Sequence, residues 1–117
     1  MPINEWSESI IIAELSDEPS FSEDMDALLR RLDDAPGGLP DVIVNAQRVS
    51  YMNSSNIAQL LKLRKKLLDN NAQLRICYLS DRVWSTILVT GLDKVFDFTD
   101  DISTSLASLH MQMDRED

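Results

Sequence analysis

The sequence predicts a single α/β domain with a mostly parallel sheet of four to five strands and about four helices packed on it. Three observations lead there. Short β-branched runs alternate with longer amphipathic stretches in the order β-β-α-β-α-β-α-β-α, the pattern of parallel strands joined through helices. Turn-forming residues separate most of these segments. The 117 residues suffice for one hydrophobic core and are too few for two. One domain over residues 1–117 is therefore expected, with its core at about 10–109 and a polar tail at 111–117 that frays.

Ile10-Ile11-Ile12-Ala13-Glu14-Leu15 reads as a strand, and Ile3 to Trp6 as a short partner across Ser7-Glu8-Ser9. Asp17-Glu18-Pro19-Ser20 forms a turn. Ser22 is placed as the N-cap of the first helix, with Glu23 and Asp24 in its first turn and Met25, Leu28, Leu29 and Leu32 on its apolar stripe. Pro36, Gly37, Gly38 and Pro40 break that helix. Val42-Ile43-Val44 is a buried strand leading to Val49. The second helix starts near Ser54 and is expected to bury Ile57, Leu60, Leu61, Leu67 and Leu68, with the Arg64 stem along the core edge and its head in water. Asn70-Asn71 stops it. Leu74 to Leu79 is the next strand. Ser80 or Asp81 caps a third helix, which Gly91 closes. Lys94 to Phe98 reads as a last strand, and Asp100-Asp101-Ile102 opens a final helix through Leu109.

Composition narrows the function. Twenty acidic and 11 basic residues give a net charge of −9, which repels nucleic-acid phosphate and anionic membranes. Lys62, Arg64, Lys65 and Lys66 cluster on one helix, read as a solvated face before a docking patch for an acidic partner. Direct nucleic-acid binding and membrane insertion are not expected. No apolar run approaches the about 20 residues that span a bilayer. The N-terminal residues resemble no signal peptide, and Cys77 is the only cysteine, so a cytoplasmic location is expected. Cys77 lies in an apolar run and reads as a buried small hydrophobe.

Enzyme chemistry finds no constellation. His110 is the only histidine and reads as a solvated or capping residue, so neither a His-rich metal site nor a Cys/His zinc site is expected. The glycines Gly37, Gly38 and Gly91 lack Walker spacing. Ser54 and Ser55 have no glycine elbow around them. Catalytic residues, metals and cofactors are all expected to be absent. Two serines at a helix start read first as caps, because their oxygens satisfy free backbone N–H groups. The same place suits a phosphate.

The residues Val42 to Val49, followed by Tyr51-Met52-Asn53-Ser54-Ser55-Asn56 and Leu60 to Leu67, resemble the STAS domain of anti-sigma factor antagonists. That family's signature is a strand, an Asp-Ser-Ser/Thr-Gly turn and a helix. Leu79 to Val83 followed by Thr90 to Phe96 resembles its second signature segment, and the likeness extends from Ile10 to Leu109. The resemblance implies a binding protein rather than a catalyst. It implies a STAS-like fold, a serine-kinase anti-sigma factor as partner, and a phosphatase that resets the switch. In that family the unphosphorylated protein captures the kinase and frees the sigma factor. By position, Ser54 is implied as the phospho-acceptor, with Ser55 as second choice. Tyr51, Met52, Asn53, Ser55 and Asn56 are implied to contact the partner. Asn53 stands where the family usually has aspartate, and Asn56 where it usually has glycine. The alternative is a scaffold subunit without a switch, in a stress-signalling or lipid-transport assembly. Weak self-association stays open.

Overall fold

The computed structural model describes residues 3–7, 9–34 and 38–116, with side chains described up to residue 110. Glu8, Pro36 and Gly37 of the expected turns lie outside the described residues, as do the side chains of the tail. Five strands, β1 (Ile3–Ser7), β2 (Ile10–Ser16), β3 (Asp41–Arg48), β4 (Leu74–Cys77) and β5 (Phe98–Thr99), form one sheet in the order β1-β2-β3-β4-β5. Only β1 runs antiparallel to its neighbour; the other pairs are parallel. Four helices complete the domain: α1 (Ser20–Asp33), α2 (Ser54–Asp69), α3 (Asp81–Val89) and α4 (Ile102–Glu116).

Alternation along the strands divides the core in two. Ile11, Ala13 and Leu15 of β2 and Val42 and Val44 of β3 face α1, α2 and α3. Ile10, Ile12, Ile43 and Cys77 point to the opposite side, where Leu109 of α4 meets them. The center of β3 is buried on both faces, which is why it reads as a continuous apolar run. Burial raises the Cys77 thiol pKa, and its Sγ donates to the Val44 carbonyl. Arg75 is the charged residue of this interior. Its guanidinium donates to Ser108 Oγ (2.8 Å), to the Leu74 carbonyl (3.1 Å) and to Asp97, tying β4 to α4.

The structure corrects several sequence expectations. The first helix starts at Ser20, and Ser22 lies inside its first turn. There the Glu18 carboxylate, reaching in from the preceding turn, accepts both Ser22 N–H (2.8 Å) and Ser22 Oγ (2.6 Å). Lys94 to Phe98 is not a strand. Leu92–Lys94 forms a 3₁₀ turn after Gly91, which takes φ 75°, and the Leu92 carbonyl accepts from Val95 and Phe96. Turn hydrogen bonding therefore delays the strand to Phe98, while Phe96 drops into the core. The final helix continues past Leu109 to Glu116.

The second helix is rotated relative to expectation. Its buried stripe is Asn56, Leu60, Leu63 and Leu67, whereas Leu61 and Leu68 are exposed and Ile57 is half-buried. Arg64 does not extend its head into water: Nε donates to the Val95 carbonyl at 2.9 Å. Lys62 and Lys65 are exposed as expected, and Lys65 pairs with Asp69 at 2.7 Å. Lys66 is less exposed and bridges to Asp33 at the end of α1. Replacing all three lysines by glutamine is expected to change stability by about 1 kcal/mol or less, because exposed pairs contribute little. Urea unfolding checks this, and a loss of several kcal/mol would contradict the observed orientation.

Candidate functional site: the N-terminal turn of α2

β3 ends at Arg48, and the chain turns back at the sheet's C-terminal edge toward α2. Asp17, at the end of β2, holds this turn: its carboxylate accepts Ser50 N–H (2.8 Å) and Ser50 Oγ. Those bonds, the Ser50 hydroxyl first, hold the Asp17 pKa below its usual value, with a smaller contribution from Arg82. Met52 then inserts into the core, at 7% exposure. Tyr51 stays exposed, and the Arg82 guanidinium of α3 lies 5.8 Å from its ring center. This contact places the first turn of α3 beside that of α2.

Asn53, with extended φ −95° and ψ 175°, is the N-cap of α2. Its Oδ1 accepts Asn56 N–H at 2.8 Å, and Asn56 Oδ1 accepts Asn53 N–H at 3.1 Å. The pair is a capping box built from two asparagines, satisfying two otherwise unpaired donors reciprocally. Asn56 is 1% exposed, and its Nδ2 donates to Glu18 at 3.2 Å. Glu18 therefore joins α1 and α2: it receives Ser22 and Asn56, and Gln59 Nε2 donates to Ser22 Oγ.

The expectation that Ser54 and Ser55 cap the helix is thereby corrected, because Asn53 occupies the N-cap. Ser54 and Ser55 are the first two helical residues. Both are exposed, and neither hydroxyl has a partner among the described residues. The two departures from the family pattern belong together: glycine at 56 could not return the bond that Asn56 gives Asn53. The Asn56 side chain turns inward, so it adds no bulk to the outer face. Of the residues implied to contact a partner, Tyr51, Asn53 and Ser55 are on the surface with Ser54, while Met52 and Asn56 lie inside and support them. Sequence reading missed Asp17, Glu18 and Arg82. Their signal was available only as charged residues in turns, which an acidic chain has in excess.

Asn53→Ala is expected to cost about 1–2 kcal/mol, and Ser54→Ala less than about 0.5 kcal/mol, since only the first removes the cap. Paired urea melts decide this, and an equal loss in both would contradict the assignment. The Glu18 pKa is held below its usual value by the Ser22 hydroxyl and N–H, then by Asn56. A depressed folded pKa stabilizes above the unfolded value and is lost as pH falls through the folded one. The gap in thermal midpoint between the protein and Glu18→Gln should therefore be present at neutral pH and close as pH falls through the lowered Glu18 pKa. A gap independent of pH would show that the Glu18 charge contributes nothing.

With this geometry in place, the family model of the STAS domain matches residues 4–108. The chain belongs to the STAS family. The STAS domain is similar in structure to several solved proteins at low sequence identity. A Thermotoga maritima protein assigned as an anti-sigma factor antagonist matches with TM-score 0.80 and 11% identity, covering 93% of each chain. SpoIIAA, an anti-sigma factor antagonist in its unphosphorylated form, matches with TM-score 0.76 and 14% identity over 92% of this chain and 94% of its own. A chain of the stressosome, a signal integration and transduction hub, matches with TM-score 0.74 and 13% identity over 96% and 98%. At such identities these matches show the fold alone. No curated protein sequence matches the chain. The family is typically non-enzymatic. Among the described residues, no helix is long and apolar enough to cross a membrane, and no three His, Cys, Asp or Glu side chains are grouped to hold a metal.

Proposed function

We propose that this STAS domain is a cytoplasmic protein-capture module of the anti-sigma factor antagonist type, switched by phosphorylation of Ser54. One observation carries the reading. The cap of α2 is supplied by Asn53 and Asn56, which leaves the Ser54 and Ser55 hydroxyls exposed and without partners among the described residues. A kinase can reach such a hydroxyl without unfolding the helix. The partner of this reading is a serine-kinase anti-sigma factor, and a phosphatase restores the unmodified state.

The physical consequence of modification is local. A phosphoserine carries about −1.5 to −2 charges. At the first helical residue the dipole and the free N–H groups of Ser54 and Ser55 favor it, so the fold tolerates it. Buried in an interface, the same dianion must lose its water, and it adds to a chain whose net charge is already −9. Binding falls without a change of fold.

A second reading is a scaffold subunit that packs against sibling STAS domains without a switch, in a stress-signalling or lipid-transport assembly. The fold shared with a stressosome chain over 96% of this chain and 98% of that one supports it. Calorimetry against the purified serine kinase separates the two. Switch-type capture predicts binding that depends on the nucleotide present and disappears after phosphorylation. Binding only to STAS domains, unchanged by Ser54→Asp, would replace it with the scaffold.

A further inference from the structure

We propose that the cleft at the C-terminal edge of β3, β4 and β5 binds a compact organic cation of the methylated-ammonium or guanidinium class. This site is separate from the Ser54 hydroxyl and does not depend on the capture reading. The cleft has a volume of about 630 Å³, within the range of small-molecule sites, about 300–1,000 Å³. It lies beyond the carboxyl ends of β3, β4 and β5, between the first turn of α3 and the loop after β5.

Its walls select the ligand. Tyr78, Trp84 and Phe98 supply aromatic surface, and Asp81 and Asp100 supply negative charge. No Lys, Arg or His lines it among the described residues, so a phosphate or other anion would find no cationic side chain. Trp84 and Phe98 meet edge to face at 5.2 Å and 85°, which fixes both rings as a corner. Electron-rich ring faces attract a poorly hydrated cation. The positive end of α3 opposes that charge, but Ser80 caps it and Asp81 sits in its first turn. Gln47, at the end of β3, has an exposed side chain without a hydrogen-bond partner among the described residues and can orient a polar group on the ligand.

Tyr78 adds a second, independent observation. It takes φ 59°, in the left-handed region, directly after β4. A bulky aromatic residue seldom adopts that conformation, and such positions concentrate at ligand sites. Tyr78 lines the cleft wall, with the residue 38% exposed and its hydroxyl without a partner among the described residues.

Choline chloride and its uncharged analogue 3,3-dimethyl-1-butanol test the proposal on the whole chain. Amide shifts for Tyr78 to Trp84 and Phe98 to Asp100 are followed by NMR titration. Choline should produce saturable shifts at these residues and bind about five-fold or more tightly than the alcohol. Asp81→Asn and Asp100→Asn, both on exposed residues, should each weaken choline roughly two- to five-fold with the spectrum otherwise folded. A short peptide bearing trimethyllysine is the second arm. Tighter binding of the peptide than of choline supports the same chemistry presented by a protein side chain, and tighter binding of choline supports a free metabolite. No saturable shift with either cation, equal affinity for choline and the alcohol, or shifts at these residues with inorganic phosphate would overturn the proposal.

Discussion

Ser54→Asp should abolish or strongly weaken capture of the partner while leaving the fold intact. The residue is the first of α2, where a carboxylate interacts favorably with the helix dipole and interferes with no hydrogen bond, because Asn53 already caps the helix. Its thermal midpoint should therefore equal or slightly exceed that of the unmodified chain. Its partner affinity should fall by about ten-fold or more, since a charge desolvated at an interface without a counter-ion costs upward of 1.4 kcal/mol. Ser54→Ala should bind normally and resist phosphorylation. Ser55→Ala should remain a substrate. Unaltered affinity in Ser54→Asp would leave a scaffold in place of a switch.

Leu63→Ala should be among the most destabilizing substitutions in α2, at about 2–5 kcal/mol. Leu63 is fully buried in the core cluster that α2 forms with the sheet, so its truncation removes apolar contacts and leaves a cavity. Leu61→Ala, two residues away, should cost less than about 1 kcal/mol because that side chain is 37% exposed. The two losses, measured by urea unfolding, order the faces of the helix unambiguously. For a domain whose whole stability is about 5–15 kcal/mol, the first loss leaves little reserve at elevated temperature. Equal losses would restore the stripe of Ile57, Leu61 and Leu68 that the sequence suggests.

The rotation of α2 shows where the sequence was ambiguous. Ile57, Leu60, Leu61, Leu63, Leu67 and Leu68 cover more than one face, so two stripes at helical spacing compete. The true one begins at Asn56, a polar residue that joins the core only because Glu18 and Asn53 satisfy its amide. Composition cannot reveal such a partner 38 residues away. The central strands were legible for the opposite reason. Ile10 to Ala13, Val42 to Val44 and Leu74 to Cys77 are buried on both faces and need no partner to be identified. The ends of α1 and β5 shifted because Glu18 and Gly91 redirect backbone hydrogen bonds locally. At the candidate site, the turn and its two serines were visible in sequence. The identity of the cap was not, because a serine and an asparagine compete for that position on nearly equal terms.

The central claim is that Ser54 is the modified residue, and phosphosite mapping of the protein recovered from its own cells tests it most directly. Trypsin should release Val49 to Lys62, a peptide that carries Ser50, Ser54 and Ser55. Fragment spectra from growing and from stressed cells should place phosphate on Ser54 in one state and show it depleted in the other. Full coverage of this peptide with no phosphate in either state, or with phosphate confined to Ser55, would contradict the account.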